Sequence, residues 1–458
     1  MQKIAICLCV IVAVFFQSSA ASAQEVRVEV VRDGNEWTAT YRFARSSPGW
    51  ALIRSNPARK TGRSWRLDSW LVETPGVTLA RFDGRDLLIA DKGHVPRTVQ
   101  VRFTPYADDI LAGYDPALAF STGAVALFTG QFDAMPWSAE NGVDIQKAQN
   151  AQVILRDRRG KVLFDGARHH MAVTNGRAGY AVFGNADILE TEYLATLIDP
   201  DLPDWLSAEL LRYIPATLEF YTERLGSAKK DGKPTIMVSW KGATPGLSSL
   251  GGSVLPNMVA MVMEGSALSD NSDKALDNAR WFIAHESAHF WLGQTVGYQK
   301  RADMWMTEGG ADLMAIRAVA SINPDFDVRG ELQRELDDCV KFTRNKPLGE
   351  ADKRNEFRAF YACGAIFGMI AEAAAQKKGG DFFTFWNSLV AANRKDGIVT
   401  RREWLAALDR IAGNTAFSAD IRTLLDTSQD DPGAVIEAML KRAGILILRD
   451  NDGRLILS

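Results

Sequence analysis

Two histidines and a glutamate stand together in Trp281-Phe282-Ile283-Ala284-His285-Glu286-Ser287-Ala288-His289-Phe290. The surrounding stretch reads as a helix from its apolar spacing. At positions i and i+4 of a helix, two imidazoles project from one face, one turn apart. Both can therefore reach a single metal ion. Glu286 points to the adjacent side, where it can hold a water on that metal. The chain has five histidines in all, and a chance pair on a helix face is the competing reading. A second acid weighs against chance. Met304-Trp305-Met306-Thr307-Glu308-Gly309-Gly310-Ala311-Asp312 puts a carboxylate on a second helix. Between His289 and Glu308 lie 18 residues (308 − 289 − 1), enough for that helix to pack beside the first and supply a third ligand. His285, His289 and Glu308 would leave the fourth position of a tetrahedral zinc for water, which is the catalytic form of such a site. Asp312 follows Glu308 by one helical turn. It could accept the free N–H of a ligand histidine, or be an ordinary solvated aspartate.

The elements that must carry these residues fall into two halves, an α+β organisation. From Gln24 to about residue 185 the pattern is short strands with turn signals, as in a β-sheet or sandwich domain. Glu25–Val31 alternates, Asp33-Gly34-Asn35 turns, and Glu36–Phe43 returns. Near Ala186 the period changes, and residues 186–444 form a mainly helical domain. Leu206–Leu225 reads as an amphipathic helix, and Pro234–Trp240 and Asn257–Met263 as strands. After Asp270 the expected helices are Asn271–Leu292, Glu308–Ser321, Arg358–Ala375, Asp381–Asn393, Arg401–Ile411 and Pro432–Arg442. Residues 445–458 place Asp450-Asn451-Asp452-Gly453 between two apolar runs, a possible hairpin tail.

Composition excludes several function classes. The chain has 458 residues, 53 Lys+Arg against 56 Asp+Glu, and 47% apolar residues. A net charge of −3 argues against a nucleic-acid partner, because phosphate binding needs a positive surplus. Met1–Lys3 is a short basic start, Ile4–Phe16 an apolar run, and Ala21-Ser22-Ala23 a small-residue cleavage site. Residues 1–23 thus read as a signal peptide, cut before Gln24. Thirteen apolar residues are too few for a span, which needs about 20, and no later stretch predicts a span in the mature chain. The expectation is an exported protein, periplasmic or secreted. Its mature part keeps Cys339 and Cys363, for which a disulfide and two buried thiols are both open.

His285-Glu286-x-x-His289, then 18 residues, then Glu308 within Trp305-x-x-Glu308-Gly309 resembles the gluzincin zinc peptidases of the aminopeptidase N and leukotriene-hydrolase type. Phe360-Tyr361-Ala362-Cys363-Gly364-Ala365 is similar to that family's Tyr-x-x-Gly helix start. The resemblance extends over about Ala186 to Gly444. It implies a thermolysin-like catalytic domain, one zinc per chain, a peptide or protein substrate, Glu286 as general base and Tyr361 as stabiliser of the oxyanion. It also places substrate along Gly251, Gly252 and Asn257. One departure stands out. The family's G-x-M-E-N motif supplies a glutamate for the substrate's free α-amine, whereas Gly251-Gly252-Ser253-Val254-Leu255-Pro256-Asn257 has Pro256 at that place if Asn257 matches the motif's Asn. Aminopeptidase and endo- or oligopeptidase action therefore stay open. A non-catalytic binding protein on a peptidase fold, and a zinc hydrolase of a non-peptide bond, are the alternatives from other classes. Adjacent His169 and His170 would point to opposite faces of a strand and share no metal.

Overall fold

The computed structural model describes residues 25–458 except 113, 144–149, 175, 192–193, 229–232 and 270. The expected signal peptide, 1–23, lies outside the described residues.

The first half is built from sheets. Val26–Asp33 and Glu36–Phe43 pair antiparallel from Val26↔Phe43 to Asp33↔Glu36. Gly34, at φ 63°, supplies the left-handed backbone that the tight turn requires. Val26–Asp33 also pairs parallel with Gln152–Asp157, from Arg27↔Gln152 onward. Thr98–Phe103, Trp70–Val72 and Ala172–Val173 complete a six-stranded sheet. Alternate residues (Val28, Val30, Ala39, Tyr41, Val99, Val101) face one buried core, as a half-covered sheet requires. Two smaller sheets flank it. Arg66 is fully buried there, paired with Asp86 at 3.1 Å and lying over the Trp65 ring.

The second half opens with a five-stranded sheet. Its order is Ile188–Glu190, Ala195–Ile198, Thr235–Trp240, Met258–Glu264 and Ser249–Leu255. Ser249–Leu255 is the edge strand. It was not foreseen, since two glycines interrupt it. A two-residue turn at Pro256-Asn257, with Asn257 at φ 55°, returns it to Met258.

The helices are α1 (Trp65–Ser69, in the first half), α2 (Asp204–Leu225), α3 (Asp273–Ala288), α4 (Trp305–Ile322), α5 (Val328–Thr343), α6 (Arg358–Gln376), α7 (Phe382–Asn393), α8 (Arg401–Ala412), α9 (Ala416–Asp426) and α10 (Pro432–Ala443). Helix α3 starts on a Ser272 cap to the Ala275 N–H. Helix α4 is anchored by Trp305, fully buried between Phe367 and Trp404. The chain closes with the antiparallel pair Ile447–Arg449 and Leu455–Leu457. Helices α5 and α9 were absent from the sequence reading. Cys339 of α5 and Cys363 of α6 form a disulfide, with Cα atoms 4.7 Å apart.

Candidate active site

Helices α3, α4 and α6 meet at one point. Where α4 crosses α6 there is no room for side chains. A Cβ on Gly309 would meet the Gly364 backbone, and one on Gly364 would meet the Trp305 carbonyl. The two glycines let the helices touch backbone to backbone. That contact brings Glu308, beside Gly309, toward Tyr361, one turn before Gly364.

His285, His289 and Glu308 converge there. The two Nε2 atoms are 3.2 Å apart. Glu308 Oε2 lies 3.7 Å from His285 Nε2 and 3.4 Å from His289 Nε2. Atoms held about 2.0–2.1 Å from a tetrahedral zinc stand roughly 3.3 Å from one another. The donor set fits that metal in a second way. His285 Nδ1 is bonded to Asp312 at 2.7 Å, and His289 Nδ1 to the Leu292 carbonyl at 2.8 Å. Both partners are acceptors, so each Nδ1 carries the proton. In the neutral rings the two Nε2 lone pairs then face each other, an arrangement that a cation resolves.

The electrostatics agree. Burial lowers the affinity of both imidazoles for a proton, yet the carboxylates outweigh it. Asp312 raises His285 well above its ordinary value, and Glu308 raises His289. Burial would raise Glu308, but His289 and His285 hold it well below the usual carboxylate range. The pocket calls for positive charge. Among the described residues this is the one cluster of three His, Cys, Asp or Glu side chains close enough to share an ion.

The other expected residues lie around this centre. Glu286 is half-buried beside it, and a Cβ on Gly252 would fall 2.6 Å from its carboxylate. The Tyr361 ring stacks on His285 at 5.6 Å between centroids. Burial, then Glu308, push its phenol up, so it stays a donor. Asp312 is fully buried and also accepts from Arg358 at 3.3 Å. Arg358 is held in turn by Glu335 and Asp338 of α5.

A cleft of about 710 Å³ opens over the centre. Gly252 and Asn257 line it, with Tyr114, Arg177, Gln294 and Tyr298 opposite or beside them. Gly251 does not. It faces a smaller cavity on the other side of the edge strand. Asn257 is committed to its turn, and its N–H donates to Gln294 Oε1 at 2.7 Å. Glu264 sits at the far end of the hairpin, bonded to Thr244. Sequence reasoning missed Tyr114, Tyr298 and Arg358, none of which belongs to a local motif.

Residues 253–362 match the model of the Peptidase family M1 domain. That segment contains the three convergent side chains, Glu286 and Tyr361. An aminopeptidase N family protein of Idiomarina loihiensis shares the fold at a TM-score of 0.64 and 12% identity, over 93% of this chain and 79% of its own. Native leukotriene A4 hydrolase of yeast aligns at a TM-score of 0.52 and 13% identity, over 89% and 69%. Among curated proteins none matches.

The fold, the donor set and the M1 domain matched over residues 253–362 are together those of a hydrolase, a zinc metallopeptidase. It carries a single catalytic zinc and performs zinc-dependent hydrolysis of peptides.

Proposed function

We propose that the chain is an exported endo- or oligopeptidase that cuts without holding a free α-amine. One observation carries this reading. Among the described residues lining the cleft, Glu286 and Glu308 are the only carboxylates. One is the proposed base and the other a proposed ligand, so neither is left to pair with an ammonium group. Export rests on the sequence of residues 1–23, and the Cys339–Cys363 bond supports an oxidising compartment.

In this reading His285, His289 and Glu308 hold the zinc, and Asp312 fixes the His285 tautomer. The metal, when bound, supplies Lewis-acid chemistry: it acidifies a water and polarises the scissile carbonyl. Glu286 takes the attacking water's proton and delivers it to the departing amine. Gly252, lacking a side chain, leaves the approach to Glu286 open. Tyr361 donates to the carbonyl oxygen as it gains negative charge. Donors of that kind have been worth about 2.7–4 kcal/mol where removed.

The test is one peptide pool, offered with free and with acetylated N-termini to zinc-loaded protein. Products are read by mass spectrometry, with Glu286→Ala as the blank. Internal cuts in acetylated peptides are the expected result. Stepwise trimming of free N-termini alone would overturn it and point to an aminopeptidase with an acid elsewhere.

A further inference from the structure

The edge strand Ser249–Leu255 borders the cleft, and an extended peptide can pair with it by strand addition. Its register with Met258–Glu264 runs from Leu255↔Met258 to Ser249↔Glu264. In an antiparallel ladder, residues turn their backbone groups inward and outward by turns. Leu255 and Met258 close the two-residue turn, so Val254 turns its N–H and C=O outward. Gly252, two residues earlier, does the same. Gly252 stands at the level of Glu286, so the bond to be cut lies near it.

At Val254 the outward carbonyl is already taken. The Tyr114 hydroxyl, from the sheet-rich half, donates to it at 3.3 Å. Tyr114 also lines the cleft. Its ring is held by Phe128, with centroids 5.1 Å apart, and by Arg54, whose guanidinium is 5.8 Å from the ring centre. Two strand residues span roughly 6.6 Å. A phenol fixed that far from Gly252 ends the free edge about two residues from the scissile bond.

We infer that Tyr114 is a specificity-determining residue: it caps the substrate-binding edge at Val254 and limits one side of the substrate to about two residues. The cap is neutral, so it measures length and is indifferent to terminal charge. The inference deepens the proposed function and rests on the cleft being a peptide site. Substrates would be short peptides, or chain ends, whose terminus on that side is free or blocked alike.

The test uses binding rather than turnover. Zinc-loaded Glu286→Gln protein is titrated with two peptide ladders, each lengthened one residue at a time at a single end. Every rung is made with charged and with blocked termini. At one end, the rung beyond about two residues should weaken binding by about tenfold, in both terminal forms. Tyr114→Ala should abolish that penalty at that end only. Tyr114→Phe, which keeps the ring and frees the Val254 carbonyl, should relieve it in part and guards against misfolding of the alanine variant. Tyr180→Phe is the control, since its hydroxyl donates to the Asp115 carbonyl instead. It should leave the ladder unchanged. Ladders that bind without an end-specific penalty, or with one that Tyr114→Ala does not relieve, overturn the inference alone. A penalty confined to charged termini overturns the neutral cap. Failure of every peptide to bind overturns the peptide reading itself, and this inference with it.

Discussion

Asp312 and Arg358 meet at 3.3 Å behind the two histidines. The other oxygen of Asp312 holds His285 at 2.7 Å, so a pair of helices fixes the tautomer of a side chain on a third. Replacing Asp312 by Asn keeps the shape but weakens the acceptor. Zinc affinity should fall about 10–100-fold, the usual cost of losing such a partner. Metal retention during chelator titration measures it. Unchanged retention would separate Asp312 from the metal site.

Tyr361→Phe removes one hydroxyl and leaves the ring on His285. The expected result is a drop in kcat of about 10²–10³ with little change in KM and full zinc content. Loss of zinc in step with activity would instead make Tyr361 a structural support.

Gly364→Ala should do more damage than its size suggests. The new methyl collides with the Trp305 carbonyl, and helices α4 and α6 must separate. Overpacking of this kind costs about 1–3 kcal/mol. Glu308 and Tyr361 move apart together, so stability and zinc binding should fall jointly. A variant with native Tm and native zinc affinity would refute the close crossing.

The disulfide ties α5 to α6 two residues beyond Tyr361. It closes a loop of about two dozen residues, worth about 3 kcal/mol in the chain-entropy account. A reducing agent should lower the urea midpoint of the native protein. The Cys339→Ser/Cys363→Ser double variant should start low and ignore the reductant. Coincident curves with and without reductant would rule the bond out.

Asp133, in the sheet-rich half, gives a pH prediction away from the metal. Burial pushes its carboxyl up to about 6, against the Ala151 N–H and Arg54 and Arg66. The folded state then binds more protons than the unfolded chain between about pH 4 and 6. Stability contributed by this group therefore falls as pH rises through that window and is flat above it. The change is about 2–3 kcal/mol. Asp133→Asn still accepts from Ala151 and should remove that part of the slope. Unfolding free energies at pH 4.5 and 7.5 test it, and equal slopes for both proteins would contradict the assignment.

The convergence of His285, His289 and Glu308 was legible because its information is local. His285 and Glu286 lie on α3 with His289 at its C-cap, and Glu308 and Asp312 share α4 at one-turn spacing. Tyr361 came from a resemblance and not from spacing. Helix α5 was missed although Leu332, Leu336 and Cys339 recur at the i, i+4, i+7 spacing of a helix face; the charged residues between them made the segment read as surface loop. With α5 unseen, the hold of Glu335 and Asp338 on Arg358 could not be read, nor could the cysteine pairing. The edge strand was hidden by Gly251 and Gly252, which have low strand preference. Of the two, Gly252 is what the site needs, since a side chain there would meet Glu286. Tyr114 is placed by packing between distant segments, and no local pattern records that.

The strand Val26–Asp33 lies between a partner that follows at once and one that begins 125 residues later, as Arg27↔Gln152 shows. During synthesis at 5–20 residues per second, the second partner emerges roughly 6–25 s after the first strand. For that interval a hydrophobic strand has one unpaired edge, a template for joining another chain. Holding the chain unfolded until residue 157 has appeared removes the hazard, so a binding factor acting during synthesis would raise the yield of folded protein more than one acting afterwards.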